Sequence, residues 1–303
     1  MAIVGTGHFG KALWPGINKW YGDAYKDWTT EYTGLFESYK SSKHYEEDVG
    51  KSGLGLAQVR AEGAPVTFDS VRQAFTTRYT HVEYTLGIII TKIAYEDDQY
   101  SVIGPSKAKG LARSMRQTKE IVGANVYNRA FNSSYVGGDG KELLATDHPN
   151  FAGGTWANEL ATAADLSEAS LEQACIDISK YTDDRGLRIA VMPQKLIIPY
   201  DLVFEAERIL KTEGRVGTAN NDLNALKNMG RFPGGIMACH YLTDTDAWFI
   251  KTDSPDGMKY FTRVDDSFSD DNDFDTDNAK YKARSRFSFG WTDPKGLFGS
   301  PGA

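Results

Sequence analysis

From residue 75 to 94 the chain reads FTTRYTHVEYTLGIIITKIA, with Val82, Tyr84, Leu86, Ile88 and Ile90 at alternate positions. That period of two predicts a β-strand. At roughly 3.3 Å per residue an unbroken strand of this length would extend over roughly 65 Å, more than a compact domain accommodates. Upstream, residues 46–66 carry Gly50, Gly53, Gly55 and Gly63 among few large apolar groups. Together the two stretches predict a protruding two-stranded arm with a glycine-rich tip. An isolated hairpin is marginal in water, so such an arm needs a partner surface.

The period then changes to that of a helix. Leu111, Met115, Val122 and Val126 form one apolar stripe between Pro105 and Asn132, with Arg113, Arg116, Lys119 and Glu120 elsewhere on the surface. A second helix is expected after Asp165, capped by Ser167 and turning Leu171, Ala174, Cys175 and Ile178 inward. Residues 187–214 read as a buried strand, Leu187 to Met192, punctuated by Pro193 and Pro199. A helix capped by Asp201 and stopped by Gly214 follows, with Leu202, Ala206, Ile209 and Leu210 at helical spacing. Further strands are predicted at Gly235 to Leu242, Ala247 to Lys251 and around Tyr281 to Phe289. The Asn- and Gly-rich stretch 215–235 and the aspartate-rich stretch 265–277 read as exposed loops.

Composition adds limits. A hydrophobic share of 41% and a charged share of 25% are those of a globular protein with a sizeable core. No apolar run approaches the ~20 residues of a membrane span, and the first residues lack the pattern of a signal peptide, so a soluble intracellular chain without membrane contact is expected. Cys175 and Cys239 lie far apart in apolar stretches and read as two buried reduced thiols. A net charge of −7 argues against gripping nucleic acid by neutralising phosphates, so any DNA would be contained rather than read.

Candidate chemistry is sparse. Gly5-Thr6-Gly7-His8-Phe9-Gly10 matches a dinucleotide-binding fingerprint, but Pro15 and Gly16 interrupt the helix that should follow and the second strand is missing. An aromatic N-terminal arm lying on a neighbour is the better reading of this region, and an NAD-type oxidoreductase using the loop is the enzyme alternative. Asp147 and His148 are adjacent, without a Ser or Cys nucleophile beside them, and a turn stabilised by Asp and Pro is expected there. His240 lacks a partner at ligand spacing and reads as a packed histidine. Asp271, Asp273 and Asp275 match the first ligands of a calcium loop, but Thr276 and Lys282 stand where that loop needs Gly and Glu. No cofactor, metal or catalytic residue is therefore assigned.

The order of these parts resembles the major capsid proteins of tailed bacteriophages. Local wording is similar as well, in Leu144 to Asn150 (LATDHPN), in MPQKLIIPYDLVFEAERIL, in Asp246-Ala247-Trp248-Phe249 and in YKARSRFSFGWTDPKGLFGS. The resemblance implies an α+β chain of the Hong Kong 97-type capsid fold. Its parts would be an N-terminal arm at 1–45, an extended β-hairpin loop at 46–94, a peripheral domain from 95–160 and 252–303 with a spine helix at 106–132, and an axial domain at 161–251. It implies a non-enzymatic chain that self-assembles as pentamers and hexamers into an icosahedral virion shell around double-stranded DNA, in the host cytoplasm. Scaffold, portal and decoration proteins would be its partners, scaffold and protease being separate chains. Subunit contacts would involve Lys51, Gly53, Gly55 and Arg60 of the extended loop and Arg215, Asn220 and Asn221 of an axial loop. Some members cross-link a loop lysine to a neighbour, and Lys51 lies in that region by position alone. An encapsulin-like compartment shell shares the fold and differs in cargo.

Overall fold

The computed structural model describes residues 21–23, 29–93, 97, 103–150, 153–214, 223–272 and 278–303. In chain order its elements are α1 (Tyr32–Leu35), β1 (Glu37–Lys40), β2 (Tyr45–Lys51), β3 (Gln73–Thr80), β4 (Val82–Ile90), α2 (Ile103–Asn128), β5 (His148–Pro149), β6 (Thr155–Trp156) and α3 (Glu168–Ser179). There follow β7 (Pro193–Pro199), α4 (Val203–Lys211), α5 (Ala225–Asn228), β8 (Ile236–Cys239), β9 (Trp248–Thr252), β10 (Met258–Asn272), β11 (Ala279–Trp291) and β12 (Leu297–Ser300). Two four-stranded sheets, ordered β1-β10-β11-β4 and β12-β9-β7-β8, carry the architecture. β2 and β3 form a separate antiparallel pair.

The second sheet has a core on each face. Leu196, Ile198, Trp248, Ile250 and Phe298 pack with Leu171 and Ile178 of α3 and Ala206 of α4. Their neighbours in the strands, Ile197, Phe249 and Leu297, point the other way, into a core shared with Phe36, Tyr127, Leu144, Tyr260 and Phe287. A sheet covered on both faces needs apolar residues at every position, which is why KLIIP and WFI show no alternation. The first sheet is covered on one face by α2. There Ala283, Ser285 and Phe287 of β11 are buried while Lys280, Lys282 and Arg284 are exposed, the period of two seen in the sequence. Lys119 of α2 reaches into this packing, with Nζ 2.7 Å from Asp266 and its side chain 5% exposed.

The end of the expected arm also belongs to the chain's own core. Leu35 and Phe36 are buried, and the Glu120 carboxylate of α2 accepts the backbone N–H groups of Glu31 (3.0 Å) and Tyr32 (2.9 Å) at the start of α1. Burial pushes the Glu120 carboxyl up, against those two N–H groups.

Several predicted elements shift. The strand expected at Leu187 to Met192 is instead Pro193–Pro199, because the earlier segment turns back through a Thr182–Arg188 bridge. Both prolines stand at strand ends, where a missing N–H costs least. Asp201 does not cap the following helix: a 3-10 turn at Tyr200–Leu202 intervenes, and α4 starts without a side-chain cap. Ser167 does cap α3, accepting the N–H of Ser170 at 3.1 Å while the Ser170 hydroxyl accepts that of Ser167 at 2.9 Å. The long strand expected within 75–94 is instead two strands in different sheets, Gln73–Thr80 and Val82–Ile90, broken at His81. Residues Asp265 to Asp271 are not a loop: they lie in β10, where cross-strand pairing sets Asp271 opposite Lys280 and so tolerates the acidic run. Both cysteines are free, but only Cys239 is buried and Cys175 is half-buried. Burial raises their thiols to about 12 and about 11 respectively, which keeps both in the unreactive protonated form.

Candidate assembly surface

The feature that its own core does not account for is the β2–β3 hairpin. Its ladder runs from Tyr45 opposite Thr80 to Lys51 opposite Gln73, with a bulge after Val49. The connection, residues 52–72, holds no helix or strand, and along it Leu54, Leu56, Val59, Val66, Phe68 and Val71 are exposed, Phe68 at 92%. Six large apolar side chains facing water within one connection are concentrated rather than scattered exposure.

The base of the arm is fixed. Lys259 of β10, its side chain 7% exposed, donates to Asp48 of β2 at 2.7 Å and to Asp256 at 2.6 Å. Burial alone would depress the Lys259 ammonium, but the two carboxylates outweigh it and the net shift is upward. Thr292 donates to the same Asp48 oxygen at 2.8 Å, which leaves its hydroxyl oxygen to accept from the buried Tyr79 of β3 at 2.6 Å. Burial raises the Tyr79 phenol, so it stays a donor. Tyr79 sits over Gly290, where a Cβ would approach the ring to 2.9 Å, so only glycine fits beneath it. His81, at the break between β3 and β4, meets Ser288 through Nδ1 (2.9 Å) and Ser41 through Nε2 (3.0 Å), and burial holds its ring below the ordinary histidine range.

Between this base, residues 183–191 and residues 253–256 and 292–295 lies a cleft of about 740 Å3. Its wall carries Asp48, Asp183, Asp184, Asp253, Asp256 and Asp293 beside Lys259 and Lys295. Lys295 Nζ rests 4.8 Å from the centre of the Trp156 ring. Burial raises the Asp293 carboxyl. Among the described residues no three His, Cys, Asp or Glu side chains converge as a metal site would require.

The residues singled out in the sequence fall into three groups. Lys51 closes β2; Gly53 borders the cleft against Asp183; Gly55 donates its N–H to Asp69 at 2.8 Å; Arg60 is exposed further out. Arg215, Asn220 and Asn221 lie outside the described residues, as do the Gly5 to Gly10 motif, Asp273 and Asp275. The ends of their segment are nevertheless joined by a Gly214–Leu223 bridge and by buried Asn224, which donates to Thr212 O at 3.2 Å and caps α5 by accepting from Lys227 N. His240 is not packed: it stands exposed after β8, bonded to the Glu31 carboxylate and lying over the Tyr200 ring. Asp147 pairs with Lys141, whereas His148 is wholly buried between Asp139 (2.6 Å) and Asn158 (3.0 Å) and stacks on Trp156. This is a scaffold network, since Asn158 also ties Leu143 O and Pro294 O together. Asp48, Asp69, Arg185 and Lys259 escaped sequence reasoning because each pairs with a residue more than a hundred positions away.

No helix among the described residues is long and apolar enough to cross a membrane. No curated protein matches the chain. Its fold is shared with the virus-like particle from Pyrococcus furiosus (TM-score 0.55, 11% identity, 94% of this chain and 97% of that one). The procapsid of bacteriophage JBD30 is similar too (0.54, 16% identity, 97% and 75%), as is the capsid of a native GTA particle (0.54, 12% identity, 89% and 88%). At these identities the likeness establishes the fold, the Hong Kong 97 type expected from the sequence. Residues 73–299 match the sequence model of the family described as phage capsid protein, three quarters of the chain. A chain with that match, this fold and an apolar arm projecting from its own core belongs to the phage capsid protein family, and its role is that of a structural shell protein.

Proposed function

We propose that copies of this chain assemble as pentamers and hexamers into an icosahedral phage head that encloses double-stranded DNA. The observation that carries the reading is the arm: residues 52–72 expose six large apolar side chains on a hairpin with no core of its own, which a neighbouring copy would cover. In this arrangement Lys51, Gly53, Gly55 and Arg60 lie at one subunit contact. Arg215, Asn220 and Asn221 lie at another, around the five-fold and six-fold axes. The division into arm, extended loop, peripheral and axial parts follows the same reading, with β12 lending a strand to the axial sheet through its pairing with β9. The net charge of −7 suits a container that must let its genome go. Scaffold, portal and decoration proteins would act on the assembled shell, and assembly would take place in the host cytoplasm.

Electron microscopy and light scattering of the purified chain, with and without co-expressed phage scaffold, test this. Closed shells, tubes or rings of five or six subunits are expected. A monomer or dimer that never assembles under any condition would overturn it. A compartment shell would share the fold and differ in cargo. Nuclease-protected DNA inside the native particle decides for the phage head, and a protein cargo decides for the compartment.

A further inference from the structure

The connection between β2 and β3 lacks regular structure, yet Arg185 holds its root from outside the hairpin. Arg185 stands in a turn that is itself stiff. Asp183 accepts the N–H groups of Arg185 at 2.9 Å and Leu187 at 2.8 Å through its carboxylate, and Gly186 takes the left-handed conformation at φ 79°. From this turn the guanidinium reaches the loop. Nη1 donates to Asp69 Oδ2 at 2.7 Å, and Nη2 donates to Asp69 Oδ1 at 3.1 Å and to Ser70 O at 2.9 Å. The same carboxylate gathers the two limbs of the loop, accepting Gly55 N–H on one limb and Ser70 N–H on the other, both at 2.8 Å. Just below, Ser52 N donates to Arg72 O (2.9 Å) and Arg72 N to Ser52 Oγ (2.8 Å). Gly53 passes so close to Asp183 that a Cβ there would come within 2.9 Å of its carboxylate. Beyond the clasp Leu56, Val59, Val66 and Phe68 stand exposed.

We propose that Arg185 is a positioning residue for assembly: its fork on Asp69 and Ser70 locks the loop root to the body and so sets the direction in which the apolar tip points. The assembly part rests on the shell reading above, and the clasp stands without it. A planar guanidinium matches a carboxylate with two parallel bonds, which a lysine ammonium cannot reproduce. Fixing the tip before contact removes part of the ordering cost of association. Because the pair is partly exposed, salt screens it.

Amide hydrogen exchange on the full chain tests the clasp, with the Leu196 and Ile198 amides as an internal measure of the fold. In Arg185→Ala, exchange at Gly55 and Ser70 is expected to quicken by about tenfold, with Arg185→Lys in between. Raising the salt to about 1 M should quicken the wild type at these amides and leave Arg185→Ala unchanged. Unchanged Gly55 and Ser70 exchange in Arg185→Ala, or an equal salt response in both proteins, overturns the clasp. If Leu196 and Ile198 lose protection as well, Arg185→Gln, which removes the guanidinium and leaves both Asp69 oxygens to the Gly55 and Ser70 amides, is read by the same criteria. Light scattering then reads assembly, with Arg185→Ala expected to be several-fold slower. Quickened exchange with unchanged assembly rate removes the positioning role and leaves the shell reading intact. A wild type that never assembles removes the shell reading, while the exchange data still decide the clasp.

Discussion

The sheet β12-β9-β7-β8 and the hairpin β2–β3 have opposite relations to water. Every residue of WFI in β9 is buried, and Trp248 even satisfies its indole N–H within the chain, on Ala164 O at 3.0 Å. Along the hairpin loop, by contrast, the large apolar side chains face outward. The sheet's stabilisation is complete within one copy. The hairpin is bound to the body at its base by Lys259, Asp48, Thr292 and Tyr79 and at the loop root by Arg185, and beyond these its apolar side chains stand exposed. One chain thus carries a region whose apolar residues its own fold covers and a region whose apolar residues its own fold leaves exposed.

That contrast is broken most severely from the sheet side. Trp248→Ala empties a wholly buried site in the sheet and is expected to cost about 3–5 kcal/mol in denaturant unfolding. A loss under ~1 kcal/mol would mean that the two cores are not the source of stability. At the hairpin base, Lys259→Met leaves Asp48 and Asp256 without their cation. The expected cost is about 2–3 kcal/mol, below the usual figure for a broken buried pair because Asp256 is largely exposed, and faster amide exchange along β2 would localise it.

The junction of the hairpin with the sheet β1-β10-β11-β4 is expected to respond to acid. His81 has its pKa lowered in the fold, first by burial and then by Arg286. Its contribution to stability is therefore present above the unfolded value of about 6.5 and lost as pH falls through the folded value. Unfolding measured between neutral pH and about pH 5 should show that loss, and His81→Gln should flatten it. The smallest effect belongs to the tip: Val59→Ser and Phe68→Ser should change the stability of a single copy by no more than ~0.5 kcal/mol while slowing particle formation in light scattering. A large loss of stability in the unassembled protein would mean that the tip folds onto its own chain.

Much of this fold was legible beforehand. The alternation in YKARSRFSF marks a strand with one buried face, and β11 is that strand. The stripe Leu111, Met115, Val122, Val126 marks the long helix, with Leu111 and Met115 buried. The run KLIIP misled by its neighbours, since Leu187 to Met192 is equally apolar and only the bridge at Thr182 and Arg188 tells turn from strand. Residues 82–90 read as a continuation of 73–80 because period two carries no information about which sheet a strand joins. The break at His81 is set by Ser41 and Ser288, both distant in the chain.

By itself the sequence determined what local periodicity and capping control: the long helix, the Ser167 cap, the strand around Tyr281 to Phe289, and a hairpin with a glycine-bearing connection. Only the tertiary structure decided what depends on meetings across the chain: the second core behind β7 and β9, the anchoring of Asp48 by Lys259, and the grip of Arg185 on Asp69. The physical reason is range. A helix stripe or a cap is an interaction among residues three or four apart, whereas an ion pair between residues 69 and 185 leaves no periodic trace in either segment.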